Sequence, residues 1–213
     1  MALCGTPLLG WVIHRIKQMD FIDEIIVATS NEAADDPIAF FVEGNGVKVV
    51  RGNNEDVLGR FVEASKELTP DDVVLRFTAD NPLYDPQRTE LAKQAFENSN
   101  TDYGHIDGLS HMVPEFIRVS ALRDAASKTS ESYDREHVSV FIRSNPDLYK
   151  IITMPADHGD LRPEYDGQFT IDRQDQLENF ESMEHAKTSA PKALNCSVAS
   201  EYATISVGHT NVK

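Results

Sequence analysis

Residues 72–80 read Asp-Val-Val-Leu-Arg-Phe-Thr-Ala-Asp, an apolar run interrupted by one cation and closed by a carboxylate. A short apolar run without polar alternation is the signature of a strand covered on both faces. Working outward, Glu24–Ser30 (EIIVATS) has the same character, and Val47–Val50 is a shorter example. The segments between them have a different period. In PLLGWVIHRIKQM (7–19), Leu8, Leu9, Val12, Ile13 and Ile16 fall at helical spacing, and Pro7 suits a first helical position. Helical spacing returns over 36–44, ending near Gly44 and Gly46, over Asp56–Leu68 through Val57, Phe61 and Ala64, and over about 87–98. Short buried strands alternating with helices predict an α/β fold built on a parallel sheet.

The second half is less regular. Residues 103–120 carry Gly, His and Pro and read as loops with a short strand near Glu115–Val119. Helices are expected at 121–128 and 134–144, and a strand at Tyr149–Met154. Residues 156–168 are polar and loop-like, Phe169–Ile171 reads as a short strand ending in Asp172, and Gln174–Lys187 is helical in character. The organisation is therefore one domain, 1–187, with a polar tail, 188–213, that carries an added strand at Ala203–Val207.

Composition narrows the function classes. Thirty-five acidic against 20 basic residues give a formal charge of −15, which excludes a broad nucleic-acid or anionic-membrane surface but leaves room for a small phosphate pocket. A 40% hydrophobic content is enough for a true core. No window reaches the roughly 18 consecutive apolar residues of a membrane span. Cys4 and Cys196 show no pairing motif, and the N-terminus lacks a signal layout, so the expectation is a cytoplasmic protein.

Two carboxylates share one context. Asp80 follows the strand ending at Thr78, and Asp172 follows Phe169–Ile171. Ligands of open α/β sheets bind outside the carboxyl ends of strands, so both can meet at one cleft and hold Mg²⁺ with phosphate oxygens and water. The plainer alternatives are a turn residue before Asn81-Pro82 and a helix cap. Ser30, at the end of VATS, is either a nucleotide contact or a cap. Asp56 and Arg60 are spaced for an i,i+4 surface ion pair. Arg76 needs a partner inside its apolar run, either a structural carboxylate or a substrate anion. Arg135 and His137 lie in a polar cluster, Tyr133–Val138, that either serves the helix dipole or faces an acidic sugar. The other histidines show no zinc spacing, and neither a G-x-S-x-G nor a Walker A motif is present.

Taken in order, these segments resemble one family. The carrying residues are Gly5-Thr6-Pro7-Leu8-Leu9, Ile22–Ser30, Asp35-Asp36-Pro37, Val47-Lys48-Val49 with Arg51-Gly52, Glu55–Phe61, Asp80–Pro86, Arg135-Glu136-His137-Val138 and Phe169–Asp172. They resemble the cytidylyltransferases typified by the spore coat polysaccharide biosynthesis protein F, relatives of the acylneuraminate and 3-deoxy-manno-octulosonate cytidylyltransferases. The resemblance implies a three-layer, Rossmann-like nucleotidyltransferase fold related to glycosyltransferase A domains. It also implies transfer of CMP from CTP to an acidic or modified sugar with release of pyrophosphate. By the same resemblance Asp80 and Asp172 hold Mg²⁺, while Ser30, Arg76 and Asp80 lie near the nucleotide. Arg135 and His137 face the sugar or a dimer contact, and a homodimer is compatible with the family.

Three departures accompany the resemblance. The family opens with a strand and a basic triphosphate-wrapping loop, and this chain is expected to begin after them. Asn81 stands where a small residue or Cys is usual, and Arg173-Gln174 replaces Thr-Pro. The alternative readings are a shortened, non-catalytic relative that binds nucleotide or a partner, and a glycosyltransferase of related fold.

Overall fold

The structure, a computed structural model, describes residues 2–3, 5–154 and 171, together with the backbone of 204–208. The first half follows the expected alternation. A small hairpin, β1 (Ala2–Leu3) and β2 (Thr6–Pro7), leads into α1 (Leu8–Ile16). Then come β3 (Glu24–Ser30), a single 3-10 turn (Ala33–Asp35), α2 (Asp36–Gly44), β4 (Lys48–Gly52), α3 (Val57–Ala64), β5 (Val73–Thr78) and α4 (Pro86–Ser99). Caps follow the local chemistry. Asp56 Oδ1 accepts from Gly59 N–H at 2.8 Å to start α3, and Asp85 Oδ1 accepts from Arg88 N–H at 3.0 Å to start α4, with Pro86 in its first turn.

The second half holds β6 (Tyr103–His105), β7 (Glu115–Arg118), α5 (Val119–Lys128), α6 (Ser132–His137), α7 (Val140–Ser144), β8 (Ile151–Thr153) and β9 (Thr204–Gly208). Two differences from the sequence reading have physical causes. Tyr103–His105 is a strand because Tyr103 and Gly104 pair with Ile117 and Phe116, a long-range contact with no local signature. The helix expected over 134–144 is broken at Val138, which has φ 53° and ψ −61°, while Ser139 N–H donates to the His137 carbonyl at 2.6 Å. That is a γ-turn with positive φ, a strained conformation for a β-branched residue. The expected elements at Phe169–Ile171 and Gln174–Lys187 fall outside the described residues, apart from Ile171 itself.

One seven-stranded sheet runs in the order β4-β3-β9-β5-β7-β6-β8. β3 pairs with β4 in parallel, and β6 with β8 in parallel. β9 is antiparallel to both β3 and β5, and β7 is antiparallel to β5 and β6. Hence β4, β3, β5, β6 and β8 point one way, and β9 and β7 run against them. Alternate side chains of β5 separate the two faces. Leu75 and Phe77 join a core with Val12 and Ile16 of α1, Phe41 of α2 and Phe96 of α4. Val74 joins a second core with Leu58 and Phe61 of α3, Leu122 of α5 and Ile142 of α7. The result is three layers, helix–sheet–helix. No helix among the described residues is long and apolar enough to cross a membrane.

Gly104 marks where β6 and α4 approach most closely. A Cβ built there would lie 2.6 Å from the Phe96 ring and 3.2 Å from Ile152 Cγ2, both held in packed surroundings. Gly104→Ala is therefore expected to cost about 1–3 kcal/mol by overpacking. Urea denaturation measures it, and an unchanged midpoint would contradict this packing.

Candidate active site

Five strands of one direction bring their C-terminal ends to one edge of the sheet: Ser30, Gly52, Thr78, His105 and Thr153. Asp80 lies just beyond β5 at this edge. Its Oδ1 is buried and has no hydrogen-bond partner among the described residues. Burying a carboxylate oxygen without a partner is costly, so this atom is set up for a donor or a cation brought in from outside. The loop around it is tightly held. Tyr84 Oη accepts from Thr78 N–H at 2.8 Å, and Asn81 Nδ2 donates to Thr78 Oγ1 at 2.7 Å. The Tyr84 ring stands edge-on to Phe77 with centroids 4.6 Å apart, and burial pushes its phenol up.

The Asp80 carbonyl accepts from Ile171 N–H at 2.9 Å. Ile171 is buried with Leu3, Leu8 and Trp11, and the Trp11 indole N–H donates to the Leu3 carbonyl at 3.0 Å. The residue preceding Asp172 is thus anchored to Asp80, while Asp172 itself lies outside the described residues. Among the described residues no group of three or more His, Cys, Asp and Glu is gathered to hold a metal.

At the end of β3, Ser30 is buried within a dense local network. Asp35 Oδ2 accepts from Thr29 Oγ1 at 2.8 Å and from Ser30 N–H at 2.9 Å. Ser30 Oγ accepts from Glu32 N–H at 3.2 Å. Arg51 closes the loop, donating Nε to the Ser30 carbonyl at 2.8 Å, Nη2 to the Glu32 carbonyl at 2.8 Å and Nη1 to Asp36 at 2.7 Å. Asp35 and Arg51 were not singled out from sequence as organisers of this edge. Asp35-Asp36-Pro37 carried a signal, acids beside a Pro that opens a helix, but the 21-residue separation of Arg51 from Ser30 carried none.

Arg76 finds a structural carboxylate. It faces the α3–α5 side, opposite Glu115 in register, and Nη1 donates to Glu115 Oε2 at 2.8 Å. Glu115 Oε1 also accepts from Tyr103 Oη at 2.5 Å and Ser139 Oγ at 2.8 Å. Burial by itself would raise the Glu115 carboxyl, but Arg76 and the two hydroxyls outweigh it and hold the group below the ordinary carboxylate range. The strained turn at Val138 is what delivers the Ser139 hydroxyl to this cluster.

The Asp56–Arg60 pair expected from spacing does not form. Arg60 is buried and gives Nη1 to the Asn53 and Asn54 carbonyls at 2.6 and 2.9 Å. Asp56 binds Arg135 instead, Oδ2 to Nη2 at 2.6 Å. Arg135 Nη1 also donates to the Ala126 carbonyl at 2.8 Å, so this side chain is engaged within the chain, tying α6 to α3 and α5. His137 stacks edge-on against Tyr133, centroids 4.4 Å apart, at the end of α6. Spacing along the sequence favoured the nearest cation, and the tertiary fold chose one 79 residues away.

The Arg76–Glu115 pair generates a prediction with a sign. Glu115→Ala leaves a buried guanidinium unpaired and should cost about 3–5 kcal/mol, whereas Arg76→Met with Glu115→Leu together should cost much less. Because the folded Glu115 pKa is depressed below 4.5, its stabilisation is complete above that pH and is lost as pH falls through the folded value. The wild type should therefore lose more stability below pH 4.5 than the double variant, as read by urea melts across pH. Equal acid sensitivity would contradict the assignment.

A family model described as cytidylyltransferase matches residues 1–197. The spore coat polysaccharide biosynthesis protein SpsF of Bacillus subtilis (strain 168) is 30% identical over 187 residues, covering 85% of this chain and 77% of that protein. A 3-deoxy-manno-octulosonate cytidylyltransferase of Anaeromyxobacter sp. (strain K) is 32% identical over 97 residues, 45% of this chain and 38% of its own length. Among solved structures, a cytidylyltransferase from Leptospira borgpetersenii serovar Hardjo-bovis (strain JB197) superposes with a TM-score of 0.75 at 26% identity, covering 85% of this chain and 77% of that one. With a helix–sheet–helix architecture and Asp80 at the carboxyl edge of β5, the chain belongs to the cytidylyltransferase family of nucleotidyltransferases.

Proposed function

We propose that this chain transfers CMP from CTP to a hydroxyl of an acidic or modified sugar, releasing pyrophosphate, for surface polysaccharide or glycan synthesis. The observation that carries the reading is the buried Asp80 Oδ1, without a partner among the described residues, at the carboxyl edge of β5, where an α/β sheet takes its ligand. An oxygen of this kind fits Mg²⁺, a hard cation that takes carboxylate, phosphate and water oxygens. Asp80 is the residue to hold it, joined by Asp172, whose preceding residue is anchored to the Asp80 carbonyl. Bound there, Mg²⁺ would supply charge neutralisation on the triphosphate.

The chain's own residues perform positioning. The Thr78–Asn81–Tyr84 network fixes the Asp80 loop, and the Asp35–Ser30–Arg51 network fixes the end of β3, on the cytidine side of the proposed site. Arg76 is held by Glu115 on the α3–α5 side of β5. In the reaction the sugar hydroxyl oxygen forms a bond to the α-phosphorus. The bond from that phosphorus to the bridging oxygen breaks, pyrophosphate leaves, and the hydroxyl proton passes to solvent. Aligning nucleophile and leaving group supplies most of the rate in such a transfer. The acidic sugar is supported by what the relatives are named for. One is the Anaeromyxobacter octulosonate enzyme, and another is an 8-amino-3,8-dideoxy-manno-octulosonate cytidylyltransferase of Shewanella piezotolerans (strain WP3 / JCM 13877).

Pyrophosphate release from CTP with Mg²⁺, over a panel of acidic 3-deoxy sugars, tests the proposal. Turnover is expected with CTP, and Asp80→Asn should lower kcat about 10²–10³-fold. Release from a nucleotide sugar and not from CTP would favour a glycosyltransferase instead.

A further inference from the structure

Arg76 and Glu115 belong to a longer row of polar side chains near the carboxyl edge of the sheet. Arg76 of β5 stands opposite Glu115 of β7, and the β6–β7 register, Tyr103 to Ile117 and Gly104 to Phe116, continues to His105 opposite Glu115. Directly opposed residues share a face, so His105 of β6 projects on the same side as Arg76 and Glu115. Its ring stacks on Tyr103 with centroids 5.5 Å apart, and Tyr103 itself donates to Glu115. Arg76 and Glu115 bind one another, whereas His105 turns to the loop that follows it, with Nε2 at 2.9 Å from Asp107 Oδ1. The His105 Nδ1 is buried and has no hydrogen-bond partner among the described residues.

A carboxylate oxygen can only accept, so the proton shared by this pair sits on Nε2. In the neutral imidazole that leaves Nδ1 as a lone pair, the tautomer being fixed by the bond at the other nitrogen. A buried lone pair without a donor is costly, and no described residue supplies one. The side chain is 25% exposed, so a ligand hydroxyl can approach along its open edge and bring the missing donor. The place suits an acceptor sugar. β6 ends at the carboxyl edge, on the side of β5 away from Ser30. Two strand spacings put it roughly 9–10 Å from β5. The loop after β6 is tied to the loop of Asp80. Asp85 N–H donates to the Met112 carbonyl at 2.8 Å, and Ile106, Leu109 and Val113 share a core with Tyr84.

We infer that His105, oriented by Asp107, binds the acceptor sugar, its Nδ1 accepting a hydrogen bond from one of the sugar's hydroxyls. The inference rests on the proposed transfer for the identity of the ligand as a sugar. Ser30 and Asp80 then serve the nucleotide, and His105 serves the other substrate from the far side of β5. Asp107 is a positioning residue that acts through the ring. With its side chain 80% exposed, it can be changed without disturbing the core.

Nitrogen-15 spectra of the histidine-labelled full chain test the geometry, with His105→Gln locating the His105 signals. The wild type should show the Nε2–H tautomer at His105. Saturating 3-deoxy-manno-octulosonate, or its 8-amino-3,8-dideoxy analogue, should shift the Nδ1 signal. Asp107→Asn should mix the two tautomers and weaken that response. Steady-state rates with CTP and Mg²⁺ test the function. His105→Gln, which loses the acceptor at the Nδ1 position, should raise the KM for the sugar about tenfold, the worth of one hydrogen bond, and leave the KM for CTP unchanged. His105→Asn, which keeps an amide oxygen near that position, should stay closer to the wild type. An Nδ1–H tautomer, or an Nδ1 signal that neither sugar moves, would overturn the inference. So would a wild-type sugar KM in His105→Gln, a result that leaves the proposed reaction standing. If the wild type releases no pyrophosphate from CTP, the reaction falls, and the tautomer and the Nδ1 response alone decide the role of His105.

Discussion

The backbone of a buried strand must find hydrogen-bond partners on both sides, and in this molecule that requirement is hardest to meet between β3 and β5. Both strands run the same way, both are apolar, and neither pairs with the other. The C-terminal strand β9 meets the requirement from the opposite direction, bonding each neighbour over five residues. The α1–α2–α4 layer packs on the face of Leu75 and Phe77, the α3–α5–α7 layer on the face of Val74, and the carboxyl edge with Ser30 and Asp80 opens across the gap β9 fills.

A second constraint is charge inside the α3–α5 face. Arg76 enters a region of Val74, Phe61 and Leu122, where an unpaired guanidinium is not sustainable. Glu115 neutralises it, and Tyr103 and Ser139 use the remaining lone pairs of that carboxylate, so the cluster is satisfied around its acceptor. Delivering Ser139 requires the positive φ of Val138, and Arg135 holds the preceding helix in place through Asp56. Within the Tyr133–Val138 segment, Arg135 therefore acts as the clasp for the second layer, bonded to Asp56 79 residues away and to the Ala126 carbonyl.

The alternation of EIIVATS and DVVLRFT with amphipathic helices carried the layered fold, because buried parallel strands leave a local trace in composition. Elements that depend on distant partners left none. Tyr103–His105 is polar enough to read as loop and becomes a strand only through β7. An added strand was expected at Ala203–Val207 within a tail of no clear periodicity, but nothing in Thr-Ile-Ser-Val-Gly says that it runs antiparallel at the centre of the sheet. The site divides the same way. Asp80 was legible as an acid closing a strand, and its buried oxygen, without a partner among the described residues, adds the physical reason to single it out. Arg135 was legible only as a cation in a polar cluster, since its bond to Asp56 spans 79 residues. Asp35 and Arg51, which fix the end of β3, act through contacts that spacing does not report.

The proposed function makes Asp80, at the carboxyl edge of β5, the anchor of a magnesium–nucleotide site. The most direct test is the melting temperature of the full chain with Mg²⁺ and each of CTP, UTP, ATP and GTP, beside Asp80→Asn. A ligand at 100 times its Kd adds about 2.7 kcal/mol of stability. The account predicts a rise selective for CTP that disappears in Asp80→Asn. An equal rise in the variant, or none with any nucleotide, would contradict it.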